Sequence, residues 1–472
     1  MKINTELAVI GAGPGGYTAA FLAADMGIKV TLIDKEENPG GVCLYRGCIP
    51  SKALLHIAKL ITETQEAEKW GIKFNKPEID IDKLREFKNS VVNKLTGGLG
   101  VLVNQRKINY VKGTASFLNS TTLLVEKDNN EKIEIEFEKA ILATGSVPIQ
   151  LQGIQVKPEK IMNSTQALEI EEIPKRLLVI GGGYIGLELG SVYSALGSKV
   201  TFVEMLPSIL TGADRDLKNI VYKKISTMAE NIFLNTKVVS LTDHSGGVEV
   251  TFDGDIGEEK TKLFDKVLSS IGRRPSTVGL GLENTKVKIT EKGFVEVNEK
   301  LETNDPTIYA IGDIIGNPML AHKASAEAKV TVKNILKMET TFNPKSIPAV
   351  VFTDPELAWC GITEIEAKEK NLDVEVARFP WSASGRATTI DRNEGITKLI
   401  IDKKTEIILG VGIVGVNAGE LIAEGAMAVE LGLKVEQAAE VIHAHPTLSE
   451  TFMEASELFF GKCTHLYRPK KK

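Results

Sequence analysis

Cys43 and Cys48 lie in the run Gly40-Gly41-Val42-Cys43-Leu44-Tyr45-Arg46-Gly47-Cys48-Ile49-Pro50-Ser51-Lys52. Two thiols this close can open and close a disulfide, and so can hold two electrons. In a regular α-helix, residues five apart are separated by about 8–9 Å at Cα. A disulfide needs Cα atoms within about 4.4–6.8 Å. A bridge here therefore requires a distorted backbone. Gly47 permits unusual angles, and Pro50 removes a donor and disturbs the preceding turn. The residues that follow, from Lys52 to Leu60, are helix formers. The pair is expected at an irregular helix entrance, where the helix dipole favours thiolate. A metal site would need more ligands, and only His56 is near in sequence, so no metal is expected.

The elements that must position these thiols form an internal repeat. The apolar run Leu7-Ala8-Val9-Ile10 enters Gly11-Ala12-Gly13-Pro14-Gly15-Gly16, and Leu177-Leu178-Val179-Ile180 enters Gly181-Gly182-Gly183-Tyr184-Ile185-Gly186. Both are GxGxxG turns between a strand and a small-residue helix. Each unit closes its second strand with an acid, Asp34 or Glu204, at the same distance from its first glycine. A lone GxGxxG is a weak signal, but the whole fingerprint repeated in register is a strong one. Glycines at 11, 13, 16, 181, 183 and 186 allow a tight turn and let backbone N–H groups approach a pyrophosphate. The helix N-terminus stabilises that anion, and the terminal acid accepts from ribose hydroxyls. Two dinucleotides are therefore expected. At the second site Glu204 would repel a 2′-phosphate, and the next basic residue is as far off as Arg215. NAD is favoured there over NADP.

The bulk composition fits this reading. A length of 472 residues allows two to four domains. Hydrophobic content of 43% and charged content of 25% are ordinary for a globular protein. The net charge of −5 draws the chain to neither nucleic acid nor anionic membrane. Four cysteines make no disulfide scaffold; Cys360 and Cys463 are expected to be buried or spare thiols. The N-terminus shows no secretory or transit pattern, and the apolar stretch from Ile407 to Val416 is too short for a bilayer. A cytoplasmic setting is expected, where a single disulfide pair is usually catalytic. The basic tail over 468–472 reads as a solvated terminus.

Three further runs, Lys139 to Ser146, Lys266 to Pro275 and Ile308 to Asp313, read as buried strands entering tight turns. The segment from about Pro344 alternates short β-like runs with two helical ones and carries no nucleotide fingerprint, which suggests assembly and site completion. Near its end lies His443-Ala444-His445-Pro446-Thr447-Leu448-Ser449-Glu450. A histidine can act as a base near neutral pH when a carboxylate fixes its tautomer.

These residues resemble the dihydrolipoamide dehydrogenases, within the flavin-disulfide reductase group that includes glutathione and mercuric reductases. The resemblance spans essentially the whole chain and rests on GAGPGG, GGVCLYRGCIPSK, ATGS, GGGYIGLE, SIGRRP, AIGDI, PMLAHKA and HAHPTLSE, in that order. It implies an α/β fold: two Rossmann-like dinucleotide-binding domains plus a C-terminal α+β dimerisation domain. The expected divisions are 1–148 (FAD-binding, first part), 149–273 (NAD-binding), 274–345 (completing the FAD site) and 346–472 (interface). The resemblance implies that Gly11, Gly13, Gly16 and Asp34 hold FAD, together with Gly145, Asp313, Ala115 by its backbone, and Ala321 at the flavin pyrimidine. Lys52 would sit near the flavin N5, paired with Glu188. Gly181, Gly183, Gly186, Glu204, Val238 and Gly272 would line the NAD site. His445 would be the base and Glu450 its orienting partner, with His443 structural. In this family the histidine reaches the thiols of the other subunit, so a homodimer is implied.

The expected reaction is oxidation of dihydrolipoyl groups with reduction of NAD, through Cys43, Cys48 and FAD. The partner would be a lipoylated carrier or acyltransferase component of a 2-oxo acid dehydrogenase or glycine cleavage complex. No lipoyl domain stands at the N-terminus, so that group would arrive on a partner. Two departures stand out. Tyr45 and Arg46 replace the Asn and small apolar residue usual in relatives, and Tyr184 replaces an aliphatic. Two alternatives stay open. One is a reductase of another small disulfide, against which Glu204 argues. The other is a structural flavoprotein of a multienzyme assembly, against which intact Cys43, Cys48, His445 and Glu450 weigh.

Overall fold

The computed structural model describes residues 2–151 and 156–467; the basic tail lies outside the described residues. The apolar run before the first glycine turn becomes the strand Lys2–Ile10. It is flanked in parallel by Val30–Asp34 and Lys132–Leu142. Strand Lys132–Leu142 changes neighbour along its length: its start pairs antiparallel with Thr122–Glu126, its end parallel with Ile308–Ala310. The last pairing carries Gly312 and Asp313 to the carboxyl end of the sheet, beside the glycine turn, where open α/β sheets bind their ligands.

The second glycine turn follows strand Arg176–Ile180. That strand lies in an all-parallel sheet ordered Asn231–Phe233, Lys199–Val203, Arg176–Ile180, Lys266–Ser269, Ile161–Asn163. A three-stranded antiparallel sheet, Lys237–His244, Gly247–Asp253 and Thr261–Phe264, packs beside it and contains Val238. Two short strands, Ser146–Pro148 and Arg273–Pro275, pair antiparallel where the chain crosses between the two units.

The C-terminal part is a five-stranded antiparallel sheet ordered Ala349–Val351, Glu356–Gly361, Ile408–Gly415, Ile396–Asp402, Val374–Pro380. The apolar stretch noted above is the buried inner strand Ile408–Gly415. Two long helices, Ala418–Leu431 and Glu450–Phe459, are accompanied by the shorter helices Glu364–Glu369, Gly385–Thr389 and Val435–Glu440. The short helices lack the length that makes a helical period visible in sequence. Among the described residues no helix is long and apolar enough to cross a membrane.

Two contacts fix the redox segment within this frame. Gly41 lies against the first glycine turn, where a Cβ would come within 2.5 Å of the Gly13 Cα, and Gly40 N–H donates to Ala12 O at 2.8 Å. The helix Cys48–Glu66 buries Leu54, Ala58 and Ile61 against Leu187, Leu189 and Val192 of helix Tyr184–Leu196. The redox segment thus touches both dinucleotide units. The second unit is tied to the C-terminal sheet by Lys398, which is fully buried. Its ammonium lies 2.6 Å from Asp214, 2.7 Å from Asp216 and 2.8 Å from Glu364.

Candidate functional site

The two glycine turns are built alike. Gly11 and Gly181 have φ of +97° and +109°, and a Cβ on them would come within 2.4 Å of Ala143 O and 2.6 Å of Ser270 O. A Cβ on Gly16 or Gly186 would lie 1.8 or 2.3 Å from the carbonyl of the first glycine of its own turn. The first and third glycines are therefore demanded by packing. The middle ones face open space: the Cβ position of Gly13 has no neighbour nearer than 3.9 Å, and that of Gly183 none within 4 Å. That is the gap a pyrophosphate needs for close backbone approach. The acids repeat as well. Asp34 accepts from Ala12 N–H and Glu204 from Gly182 N–H, both at 2.6 Å.

A single cavity joins the first turn to the thiols. Gly11, Gly13, Asp34, Cys43, Cys48, Lys52, Gly145, Asp313 and Ala321 all line it. The residues fit FAD on three counts: the open middle glycine, the acid beside the turn, and one cavity lined both by that acid and by the thiols. Ala115 is buried in strand Thr114–Asn119, its backbone paired with Val125.

The helix breaks at Gly47. Cys43 sits in helix Gly41–Arg46 and Cys48 opens helix Cys48–Glu66. Gly47 has φ −145° and ψ −115°, and a Cβ there would approach Val42 O at 2.9 Å. Close approach is the reason for glycine here. Pro50 lies in the first helical turn, where an N–H would have no partner, so the distortion belongs to Gly47 rather than to the proline. The two sulfurs are unbonded and share a hydrogen bond. That bond lowers the Cys48 thiol to about 7 against the opposing effect of burial, with help from the Lys52 ammonium. The same bond and burial push Cys43 up. The shift favours the proton on Cys43 over Cys48, and both residues line the cavity.

Lys52 follows Cys48 by one helical turn, so both share a face. Its Nζ lies 2.8 Å from Glu188 Oε2, on the helix that opens with the second glycine turn. Glu188 is buried, and its Oε1 accepts the Phe352 N–H at 3.0 Å. Asp313 Oδ2 accepts from Ser146 Oγ at 2.5 Å, and Arg273 donates to the Ser146 hydroxyl at 2.7 Å. Sequence reasoning missed Phe352, Ser146 and Arg273. The latter two stand inside quoted motifs, but no spacing rule links them to Asp313.

The departures have structural work. Tyr45 Oη donates to Asn38 O at 2.9 Å, and Arg46 pairs with Glu36, so both tie the redox segment to the loop after Asp34. Tyr184 lines the cavity.

His445 and Glu450 stand apart from the cavity, and neither lines it. His445 Nδ1 lies 2.9 Å from Glu450 Oε1, and the histidine side chain is 70% exposed. Its neighbour His443 is held at both ring nitrogens, by Val441 O and Glu424, each at 2.8 Å. Among the remaining thiols, Cys360 is buried and Cys463 donates to Glu454 at 2.7 Å.

Comparison with known proteins gives this geometry a family. Residues 5–328 match the pyridine nucleotide-disulphide oxidoreductase family, and residues 347–456 match its dimerisation domain. A dihydrolipoyl dehydrogenase of Haemophilus influenzae is 45% identical over 471 residues, covering 100% of this chain and 98% of the relative. One from Geobacillus stearothermophilus is 43% identical over 464 residues, covering 98% of each. Among solved structures, the HOCl-induced flavoprotein disulfide reductase RclA of Escherichia coli aligns with a TM-score of 0.85 at 29% identity, over 96% of this chain and 99% of that one. LpdA of Mycobacterium tuberculosis aligns with a TM-score of 0.89 at 25% identity, over 96% and 99%. With both family segments matched and full-length relatives above two-fifths identity, the chain belongs to the pyridine nucleotide-disulphide oxidoreductase family.

Proposed function

We propose that the chain is a dihydrolipoyl dehydrogenase, oxidising carrier-bound dihydrolipoyl groups with NAD through FAD and the Cys43–Cys48 pair. The observation that carries this is the placement of Cys43 and Cys48, on either side of a helix break, along the cavity that begins at a dinucleotide turn. His445 of the partner subunit takes a proton from the substrate dithiol. The resulting thiolate attacks Cys43 of the Cys43–Cys48 disulfide, forming a mixed disulfide and releasing Cys48 as thiolate. The second substrate sulfur displaces Cys43 and closes the lipoyl ring, leaving both cysteines reduced. Bound FAD supplies the two-electron passage from that dithiol to NAD. Lys52 holds positive charge beside Cys48, and Glu188 limits the cost of burying it. In the net reaction two electrons end on NADH, with one proton released.

A homodimer is part of this proposal, because the exposed His445–Glu450 dyad lies off the cavity of its own chain. The division into 1–148, 149–273, 274–345 and 346–472 is supported by the pairing of Ser146–Pro148 with Arg273–Pro275 at the crossing between sheets. Glu204 would meet the NAD ribose, with Gly181, Gly183, Gly186, Val238 and Gly272 around it. The partner would be a lipoylated component of a 2-oxo acid dehydrogenase or glycine cleavage complex, in the reducing cytoplasm. Steady-state rates on purified protein test the reading. Dihydrolipoamide with NAD should turn over quickly, and NADPH with glutathione disulfide should not. The reverse preference would replace it with another disulfide reductase.

A further inference from the structure

The Lys52–Glu188 pair has a third member that comes from the C-terminal part of the chain. Phe352 follows strand Ala349–Val351. Its backbone N–H donates to Glu188 Oε1 at 3.0 Å. Its ring centroid lies 4.4 Å from Lys52 Nζ, within cation–π range. Glu188 spends its other oxygen on Lys52, at 2.8 Å. The carboxylate is thus pinned from both sides, and the ammonium is held between a carboxylate and a ring face. Phe352 meets Lys52 and Glu188, and its influence on the thiols passes through Lys52.

We propose that Phe352 is a positioning residue that holds the Lys52 ammonium beside Cys48, so that the C-terminal part of the chain sets the reactivity of the redox pair. The proposal rests on the disulfide-exchange reading of Cys43 and Cys48. Two separate contacts support it. The backbone bond fixes Glu188 whatever the side chain at 352, and the ring face lies over the Lys52 ammonium. A leucine at 352 keeps the first contact and much of the apolar volume but loses the second. The ammonium is then free to follow Glu188 or water, and its field at Cys48 weakens. The titratable groups that face Cys48 are the Cys43 thiol, Lys52, Glu188 and the phenols of Tyr17 and Tyr184. Of these only Lys52 is a cation, so loosening it raises the thiol and slows thiolate reactions below its midpoint.

The test is the pH profile of iodoacetamide alkylation of Cys48 in the reduced holoenzyme, mapped by mass spectrometry. In Phe352→Leu the rate below the midpoint should fall by about threefold to tenfold, the size expected when a partly desolvated cation–π contact is lost. Phe352→Tyr keeps the ring and should follow the wild type. In a Lys52→Met background, adding Phe352→Leu should change nothing further. A Phe352→Leu profile that superimposes on the wild type overturns the proposal, as does an equal shift in the Lys52→Met background. Phe352→Met carries the same comparison if the leucine variant fails to fold. Alkylation needs no lipoyl substrate. A shifted profile in an enzyme that ignores dihydrolipoamide would sink the substrate reading and leave this inference standing.

Discussion

Glu450 Oε1 lies 2.9 Å from His445 Nδ1, while Glu450 Oε2 accepts the Thr447 N–H at 2.7 Å. The carboxylate is aimed by the backbone, and it in turn fixes which histidine nitrogen carries the proton, leaving Nε2 as the free base. Burial pushes Glu450 up, but the Thr447 N–H and His445 outweigh it and hold the carboxyl below its usual range. Glu450→Gln and His445→Gln should each lower kcat for dihydrolipoamide by about 100-fold to 10,000-fold. The double variant should lose little more than either alone, because the two act as one unit. Steady-state kinetics decides, and additive losses would separate their roles.

Cys48 is the thiol whose thiolate is stabilised, with a value near 7. Its alkylation in the reduced enzyme should rise about tenfold per pH unit below that midpoint and level off above it. Cys48→Ser should abolish dihydrolipoamide oxidation yet keep some NADH oxidation by artificial acceptors, since that route bypasses sulfur. Retained lipoamide turnover in the serine variant would remove Cys48 from the exchange.

The glycines of the first turn should separate into two classes. A Cβ on Gly16 would sit 1.8 Å from Gly11 O, so Gly16→Ala should destabilise the fold itself. Gly13→Ala has room in the protein and should fold, but its methyl occupies the gap left for the pyrophosphate. Thermal midpoint and bound flavin per chain, measured together, should show Gly13→Ala stable and flavin-poor. Equal flavin content in Gly13→Ala and wild type would contradict this placement.

Lys398→Ala should cost about 3–5 kcal/mol, because it strands buried Asp214 without its cation. The pH dependence has a defined sign. Burial raises Asp216, but Arg378 and Lys398 outweigh it and hold the carboxyl below its ordinary value. A depressed folded value contributes stability that is complete above the unfolded value and is lost as pH falls through the folded one. Denaturant melts of wild type should therefore weaken on acidification below the ordinary aspartate range. Lys398→Ala should show a shallower loss over that window, and an unchanged slope would count against the network.

The repeat, the paired thiols and the order of motifs were legible in the chain because each depends on local spacing. Glycine turns announce themselves through backbone geometry that only one residue type tolerates, and the acids Asp34 and Glu204 end their strands at a set distance. The break between Cys43 and Cys48 was also readable, although its cause is the close approach of Gly47 to Val42 and Pro50 has no part in it. What no local pattern carries is the meeting of distant side chains. Glu188 pairs with Lys52 across 136 positions and accepts from Phe352 across 164. Buried Lys398 gathers carboxylates from two other segments. Such contacts exist because separate apolar faces pack into one core and bring their polar neighbours with them. Periodicity along a single element holds no record of which other element it will meet.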